Sequence, residues 1–284
     1  MNTAYKLLAG TALSALVASS AGAAETLDRL NEGGTLYVGF ANEAPYAYRS
    51  PTGDIQGVVY DVGQEIFSRI GVQEFDGVIV RFGSLIPGLT ANRFDVVAAG
   101  MAVRPDRCSE VAFSEPDMMF GDTLVVPPGN PKEIHSFEDV ISSGARIAVL
   151  QGGAAAKTVR AVGVPEEQIV EFPDFAETVG ALTSGRVDAT MMTVTTAARI
   201  INETGGTNFQ VADPFETAVV DGKPVVHFSA FGFRKEDAHL VEVFNAEFLK
   251  FRGSPEHIAI LEKYGLSAAQ LPSADVTTAS LCGS

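Results

Sequence analysis

The amino-acid sequence predicts an α/β protein built from two similar lobes. Two runs of alternating strand-like and helix-like segments occupy residues 35–101 and 146–204, and a β-rich segment follows each run. The chain has 284 residues, 46% of them hydrophobic, which is enough for two cores. We therefore expect two largely parallel sheets, each covered by helices and joined by two chain crossings that act as a hinge.

The first run has the order β-α-β-α-β. In its first helix the apolar residues Val59, Val62, Ile66 and Ile70 recur on one helical face, whereas the strands are short β-rich segments. The predicted elements are the strand 35–41, the helix 58–70, the strand 78–82, the helix 85–92 and the strand 95–101.

The second run repeats this pattern. Its predicted elements are the strand 146–150, the helix 154–162, the strand 169–172, the helix 174–184, the strand 187–191 and the helix 194–204. A basic residue between a helix and a strand that contains Asp occurs in both runs, at Arg93 and at Arg186. This repetition favours two lobes over one continuous sheet.

The β-rich segments between the runs predict the crossings, near residues 122–127 and 225–230. Lobe one then comprises residues 24–124 and 228–284, and lobe two comprises residues 125–227. Ligands of open α/β sheets gather at the carboxyl ends of the strands. We therefore expect the ligand in the cleft between the lobes, where Glu43, Met101 and Gly152 follow predicted strands.

Residues 1–23 have the pattern of a secretory signal peptide. Lys6 precedes an apolar segment from Leu7 to Val17, and Ala21-Gly22-Ala23 has the small residues of a cleavage site. We expect cleavage near Ala23 and export to the periplasm, an oxidising compartment in which a disulfide can persist.

Charge and motifs exclude several functions. The formal net charge is −15 and becomes −16 without residues 1–23, so the surface repels nucleic-acid phosphates. The four histidines lack metal-ligand spacing, and the sequence contains neither a P-loop nor a G-x-S-x-G motif. We therefore predict no metal, no cofactor, no catalytic residues and no nucleic-acid partner.

Several stretches resemble one known family. They are the segments 39–46, 82–89, 93–101, 104–108, 164–170 and 230–237, together with the terminal Leu281-Cys282. They are similar to the extracellular solute-binding proteins of family 3, which feed ABC importers, and most similar to ectoine- and hydroxyectoine-binding proteins. The resemblance implies the type II periplasmic-binding-protein fold, with two parallel-rich sheets joined by a two-strand hinge. It also implies a monomer that binds a small zwitterionic ligand and a membrane permease.

The resemblance assigns four ligand-binding residues in the first lobe. Arg107 matches the family's carboxylate-binding Arg, and Glu43 matches the acid that accepts hydrogen bonds from the ligand's cation. Tyr46 and Phe82 match aromatic residues that surround a delocalised amidinium. Without the resemblance, a surface ion pair is the alternative for Arg107, core packing for the aromatic residues and capping for Glu43.

The second lobe is expected to supply hydrogen-bond donors. Gly152 and Gly153 precede a predicted helix, so that their backbone N–H groups can share the ligand carboxylate with Arg107. Thr193 and its neighbouring threonines follow a predicted strand, and they either line the cleft or cap the next helix.

Two positions depart from the family pattern. Ala102 replaces a third aromatic residue and Ala154 or Ala155 replaces a Thr, so the aromatic box lacks one wall unless Tyr48 or Phe120 supplies it. The family's usual Asp after the predicted strand 187–192 is also missing, which favours a cyclic amidinium over an α-ammonium. Another polar or cyclic amino acid is the alternative ligand, and an exported cyclohexadienyl-type dehydratase is the enzymatic alternative.

The chain contains two cysteines, Cys108 and Cys282. In an oxidising compartment they are expected to form a disulfide, which would attach the C-terminal tail to lobe one beside Arg107. Two free or separately buried thiols are the alternative.

Overall fold

The computed structural model describes residues 26–283 as two α/β lobes, each built around a five-stranded mixed sheet. The predicted α/β fold class is confirmed. The predicted signal peptide lies outside the described residues.

The first sheet contains three parallel strands and two further strands in antiparallel contact. Its strands, in spatial order, are Phe75–Ile79, Leu36–Phe40, Val96–Val97, Gly232–Phe233 and Ala112–Phe113. The α-helices of this lobe are Thr26–Asn31, Val58–Arg69, Leu85–Thr90, Pro105–Cys108, Ala238–Phe251, Pro255–Lys263 and Thr278–Cys282. A hairpin of Tyr48–Arg49 and Ile55–Gln56 extends the lobe near the cleft.

In the second sheet, likewise, three neighbouring strands pair in parallel and the last two join by antiparallel pairing. Its strands, in spatial order, are Ile169–Phe172, Ile147–Leu150, Ala189–Thr193, Asp122–Val126 and Gln210–Val211. The α-helices of this lobe are Phe137–Ser143, Ala154–Ala161, Phe175–Thr183 and Val194–Glu203. A hairpin of Val219–Val220 and Lys223–Pro224 precedes the return crossing.

Two short antiparallel strands join the lobes. Met118–Phe120 pairs with His227–Ser229, and we call this pair the hinge ribbon. The chain enters the second sheet directly after the ribbon as Asp122–Val126, and re-enters the first sheet as Gly232–Phe233. The predicted division after residue 124 therefore falls inside a strand of the second sheet, and we place the crossings at the hinge ribbon instead.

Three predicted strands are displaced or shortened. The strand predicted at 78–82 is Phe75–Ile79, because pairing with Leu36–Phe40 sets its register and overrides the low strand preference of its Asp and Gly. The strand predicted at 95–101 is reduced to Val96–Val97, and Gly100 beyond it adopts a left-handed conformation against the Tyr46 ring. The strand predicted at 187–191 is Ala189–Thr193.

An aromatic core holds the first lobe together. The Phe244 ring packs against Phe67, Phe231 and Phe233 at centroid distances of 5.0, 4.9 and 5.4 Å, and all four side chains are buried. Such aromatic pairs contribute about 0.5–1.5 kcal/mol each beyond their buried area. Because these residues come from both chain segments of lobe one, they fix the sheet that carries the cleft residues.

Cys108 and Cys282 are joined by a disulfide. It links the short helix Pro105–Cys108, which carries Arg107, to the C-terminal helix Thr278–Cys282 across a sequence separation of 174 residues. The bond therefore ties the C-terminal tail to the lobe-one wall of the cleft.

We expect reduction of this disulfide to lower the free energy of unfolding by about 2–5 kcal/mol, because the bond restricts the unfolded chain over a long loop. Urea unfolding with and without a thiol reductant measures the loss. A double variant, Cys108→Ser and Cys282→Ser, serves as the control, since the reductant should no longer change its stability. Equal stability of the oxidised and reduced wild type would contradict the prediction.

Candidate ligand-binding site

A cavity of about 590 Å³, including the space that opens toward solvent, lies between the lobes. Its lining combines carboxylates, one guanidinium, aromatic rings and small apolar side chains. The lining residues are Glu43, Tyr46, Phe82, Ala99, Gly100, Ala102, Arg107, Phe120, Asp122, Leu150, Gly153, Ala154, Ala155, Phe175, Thr178, Met191, Met192 and Thr193. Six of the eight predicted ligand-binding residues are among them, and the other two are Met101 and Gly152.

Arg107 projects from the helix Pro105–Cys108 and joins the two lobes. Its Nη1 donates to the carbonyl oxygen of Ala102 (2.7 Å) and its Nη2 to the carbonyl oxygen of Gly152 (2.8 Å). The guanidinium carbon lies 5.5 Å from the centre of the Phe82 ring. Burial lowers the pKa of Arg107 to about 9, and the positive charge of Arg104 adds to this effect. An anion in the cavity would relieve this penalty.

Glu43 follows the strand Leu36–Phe40, and its buried side chain contacts a threonine of the second lobe. Thr196 Oγ1 donates to its Oε1 at 3.1 Å. Burial raises the pKa of Glu43 to about 7, the Thr196 hydrogen bond opposes this rise, and the charge of Asp122 adds to it. Glu43 is thus an acceptor whose charge lacks a compensating cation within the described structure.

Tyr46 is the second link between the lobes at this end of the cavity. Its hydroxyl donates to Thr193 Oγ1 (2.9 Å) and lies 2.7 Å from Thr195 Oγ1. Thr193 also caps the helix Val194–Glu203 by accepting from the Thr196 N–H. Lining the cleft and capping a helix, which the sequence leaves as alternatives, are therefore both realised by Thr193.

Aromatic rings form three walls of the cavity. Tyr46 and Phe82 line it as expected, although Phe82 begins a 3₁₀ turn after its strand. Phe120 lines the cavity as well, with its ring centroid 5.7 Å from that of Tyr46, so it adds a third aromatic wall. The other candidate, Tyr48, instead accepts a hydrogen bond from Arg199.

Two predicted residues lie elsewhere. Met101 packs in the core of lobe one, whereas its neighbours Gly100 and Ala102 line the cavity. Met101 and Gly152 line a neighbouring depression, which shares Phe82 and Arg107 with the cavity.

The expected anion-binding role of Gly153 also needs correction, since its N–H donates to the Leu150 carbonyl oxygen. The first N–H groups of an α-helix lack intrahelical acceptors, so the donors that this helix end can offer to a ligand begin at Ala154.

Sequence reasoning missed two polar or aromatic contributions to the cavity. Asp122 begins the strand Asp122–Val126 and is paired with His227, whose Nε2 lies 2.8 Å from Asp122 Oδ2. Phe175 begins a helix of lobe two and contributes a fourth ring. The position of Asp122 at the start of a strand after a crossing was the available signal, but the predicted crossing placed it in the hinge.

Comparisons with known proteins agree with this arrangement. The chain matches the bacterial extracellular solute-binding proteins, family 3, over residues 36–267. It is 38% identical over 276 residues to the probable amino-acid ABC transporter periplasmic-binding protein y4tE of Sinorhizobium fredii (strain NBRC 101917 / NGR234), covering 95% of this chain and 90% of that protein.

Two further relatives are informative about ligands. The lysine/arginine/ornithine-binding periplasmic protein of Escherichia coli (strain K12) is 29% identical over 226 residues, which cover 78% of this chain and 83% of that protein. The crystal structure of EhuB in complex with hydroxyectoine is similar to this structure with a TM-score of 0.80 at 31% identity. The match covers 91% of this chain and 98% of EhuB.

The two-lobed fold and the charged cavity between the lobes define a solute-binding protein of the periplasmic type. The chain belongs to family 3 of the bacterial extracellular solute-binding proteins, and it is the binding protein of an ABC amino-acid importer. The predicted family and the type II fold are thereby confirmed. Within residues 26–283 no helix is long and apolar enough to cross a membrane. The same residues contain no cluster of His, Cys, Asp and Glu that could hold a metal ion.

The raised pKa of Glu43 predicts a pH-dependent stability of the ligand-free protein. An ordinary carboxyl has a pKa near 4.5, so the unfolded chain releases this proton at lower pH than the folded one does. The folded state is therefore penalised increasingly between pH 4.5 and pH 7. Glu43→Gln should raise the free energy of unfolding relative to wild type more at pH 8 than at pH 4.5, by up to about 3 kcal/mol.

Urea unfolding at the two pH values measures this difference. Glu262→Gln, which changes an exposed acid outside the cleft, is the matched control and should alter stability equally at both pH values. The raised pKa of Glu43 is contradicted if Glu43→Gln, like the control, changes stability equally at pH 4.5 and pH 8.

Proposed function

We propose that this binding protein captures a small zwitterionic compatible solute, ectoine or hydroxyectoine, and delivers it to the membrane permease of its ABC importer. Both signs of charge line one cavity, and this observation carries the proposal. Arg107 would bind the ligand carboxylate through two parallel charge-assisted hydrogen bonds, and Glu43 would accept from the ligand's cation.

The aromatic walls support a delocalised cation. Tyr46, Phe82 and Phe120 line the cavity, and a cation–π contact with such a ring contributes about 0.5–2 kcal/mol in a desolvated site. The cavity-lining residues at the end of the strand Ala189–Thr193 are Met191, Met192 and Thr193, none of them acidic. The strand Ala189–Thr193 itself therefore contributes no carboxylate that could pair with a compact ammonium. The hydroxyectoine ligand of EhuB belongs to the same chemical class.

Closure of the lobes would complete the site. Tyr46 to Thr193, Glu43 to Thr196 and Arg107 to Gly152 are hydrogen bonds between the lobes, so they form only when the cleft is closed. The hinge ribbon permits such rotation, which is a known motion of periplasmic binding proteins. Closure excludes water and strengthens the contacts of the ligand with both charged residues.

Ligand binding should raise the melting temperature in proportion to the logarithm of ligand concentration over Kd. We expect shifts with ectoine and hydroxyectoine that exceed those with glycine betaine, proline, arginine and glutamine in a thermal-shift panel. A shift with an amino acid, but with neither ectoine nor hydroxyectoine, would refute the proposed ligand while leaving the binding-protein class intact.

Arg107→Lys should weaken binding of the preferred solute about 10- to 100-fold, because lysine keeps the charge but loses the planar pair of donors. Isothermal titration calorimetry measures the change in Kd. Arg69→Lys, which alters an exposed Arg on the helix Val58–Arg69, is the control and should leave Kd unchanged. An unaltered Kd for Arg107→Lys would remove Arg107 from the site.

A further inference from the structure

Asp122 places a second carboxylate close to Glu43 in the cavity. It is the first residue of the strand Asp122–Val126, and its strand pairing sets it opposite Thr193, which is hydrogen-bonded to Tyr46. Asp122 is 9% exposed and lines the cavity. Its charge is close enough to contribute to the raised pKa of Glu43. The two acids therefore face the same part of the cavity from different lobes.

His227 holds Asp122 in place from the hinge ribbon. The ring N–H at Nε2 donates to Asp122 Oδ2 at 2.8 Å, and both side chains are nine-tenths or more buried. His227 lies opposite Phe120 in the ribbon, and the two rings are 5.5 Å apart between centroids. Among residues 26–283 no hydrogen bond to Oδ1 accompanies the one to Oδ2. One carboxylate oxygen is thus fixed by the hinge and the other is available to a ligand.

We propose that Asp122, oriented by His227, is a second ligand-binding carboxylate and that Asp122 and Glu43 together select a cation with at least two N–H donors. The proposal rests on the proposed function and specifies its ligand class. A cyclic amidinium or a guanidinium presents two N–H groups in one plane, so it can donate to both acids at once. A quaternary ammonium has no N–H group and cannot donate to either.

Desolvation makes this difference large. Inside a closed cleft, a carboxylate without a hydrogen-bond donor keeps the cost of leaving water, whereas a charge-assisted hydrogen bond offsets it. A planar cation that donates to Glu43 of lobe one and to Asp122 of the second sheet also joins the two lobes. The same contacts would therefore select the ligand and stabilise the closed state.

Three variants test the inference by calorimetric titration with ectoine, arginine and glycine betaine. Asp122→Asn preserves shape and removes the charge, and we expect it to weaken binding of the N–H cation at least tenfold. His227→Leu should weaken it similarly, whereas His227→Gln should stay within about threefold of wild type, because its amide N–H can replace the ring donor. His239→Leu, at an exposed His of the helix Ala238–Phe251, is the control and should bind as wild type does.

The outcomes separate this inference from the proposed function. If wild type binds ectoine and Asp122→Asn binds it equally well, the inference fails and the proposed function stands. If wild type binds arginine and not ectoine, the proposed ligand fails, and the same variants measured with arginine decide the inference. The inference is overturned if glycine betaine binds as tightly as ectoine or arginine. It is also overturned if neither ectoine nor arginine binds. Melting temperatures of the ligand-free variants, with Asp122→Ser as a second substitution, distinguish lost binding from lost folding.

Discussion

The Arg107 guanidinium holds the closed cleft together through two backbone carbonyls, one in each lobe. A buried cation needs such partners, because leaving water is costly unless donors find acceptors. The surrounding structure supplies this environment. The short helix that carries Arg107 is tied by the disulfide to the C-terminal helix, and Phe82 covers one side of the guanidinium. The carbonyl of Gly152 is available only because the second lobe's strand Ile147–Leu150 ends at the cleft.

The carboxylates of Glu43 and Asp122, unlike the Arg107 guanidinium, are held by side-chain donors. Among residues 26–283, Glu43 accepts a hydrogen bond from Thr196 and Asp122 accepts one from His227, and both carboxylates retain acceptor capacity toward the cavity. Neither donor is an Arg or Lys side chain. The cavity therefore combines hydrogen bonds that join the lobes with carboxylates that have no Arg or Lys partner among residues 26–283, and a small ligand carrying both signs complements it.

The sequence was sufficient for the fold and for most of the cavity. Alternating periodicity gave the two lobes, and the resemblance placed Glu43, Tyr46, Phe82 and Arg107, all of which line the cavity. The sequence pattern could not place Met101, which follows a left-handed glycine and packs in the core of lobe one. The sequence could not choose Phe120 over Tyr48 for the third wall, and it placed Asp122 in the hinge, because both residues reach the cavity through pairing across the hinge ribbon and the second sheet. Such long-range pairing leaves no periodic signal in the chain.

The first sheet includes a strand, Gly232–Phe233, that follows lobe two in the chain, so the two lobes cannot be completed in the order in which they begin. Ala112–Phe113 has Gly232–Phe233 as its neighbour in the first sheet, so this edge cannot pair until more than one hundred further residues, including all of lobe two, have been made. Phe231, Phe233 and Phe244, which complete the aromatic core, arrive equally late. The second sheet has all its strands between residues 122 and 211. During translation, the lobe that begins first is therefore the one that finishes last.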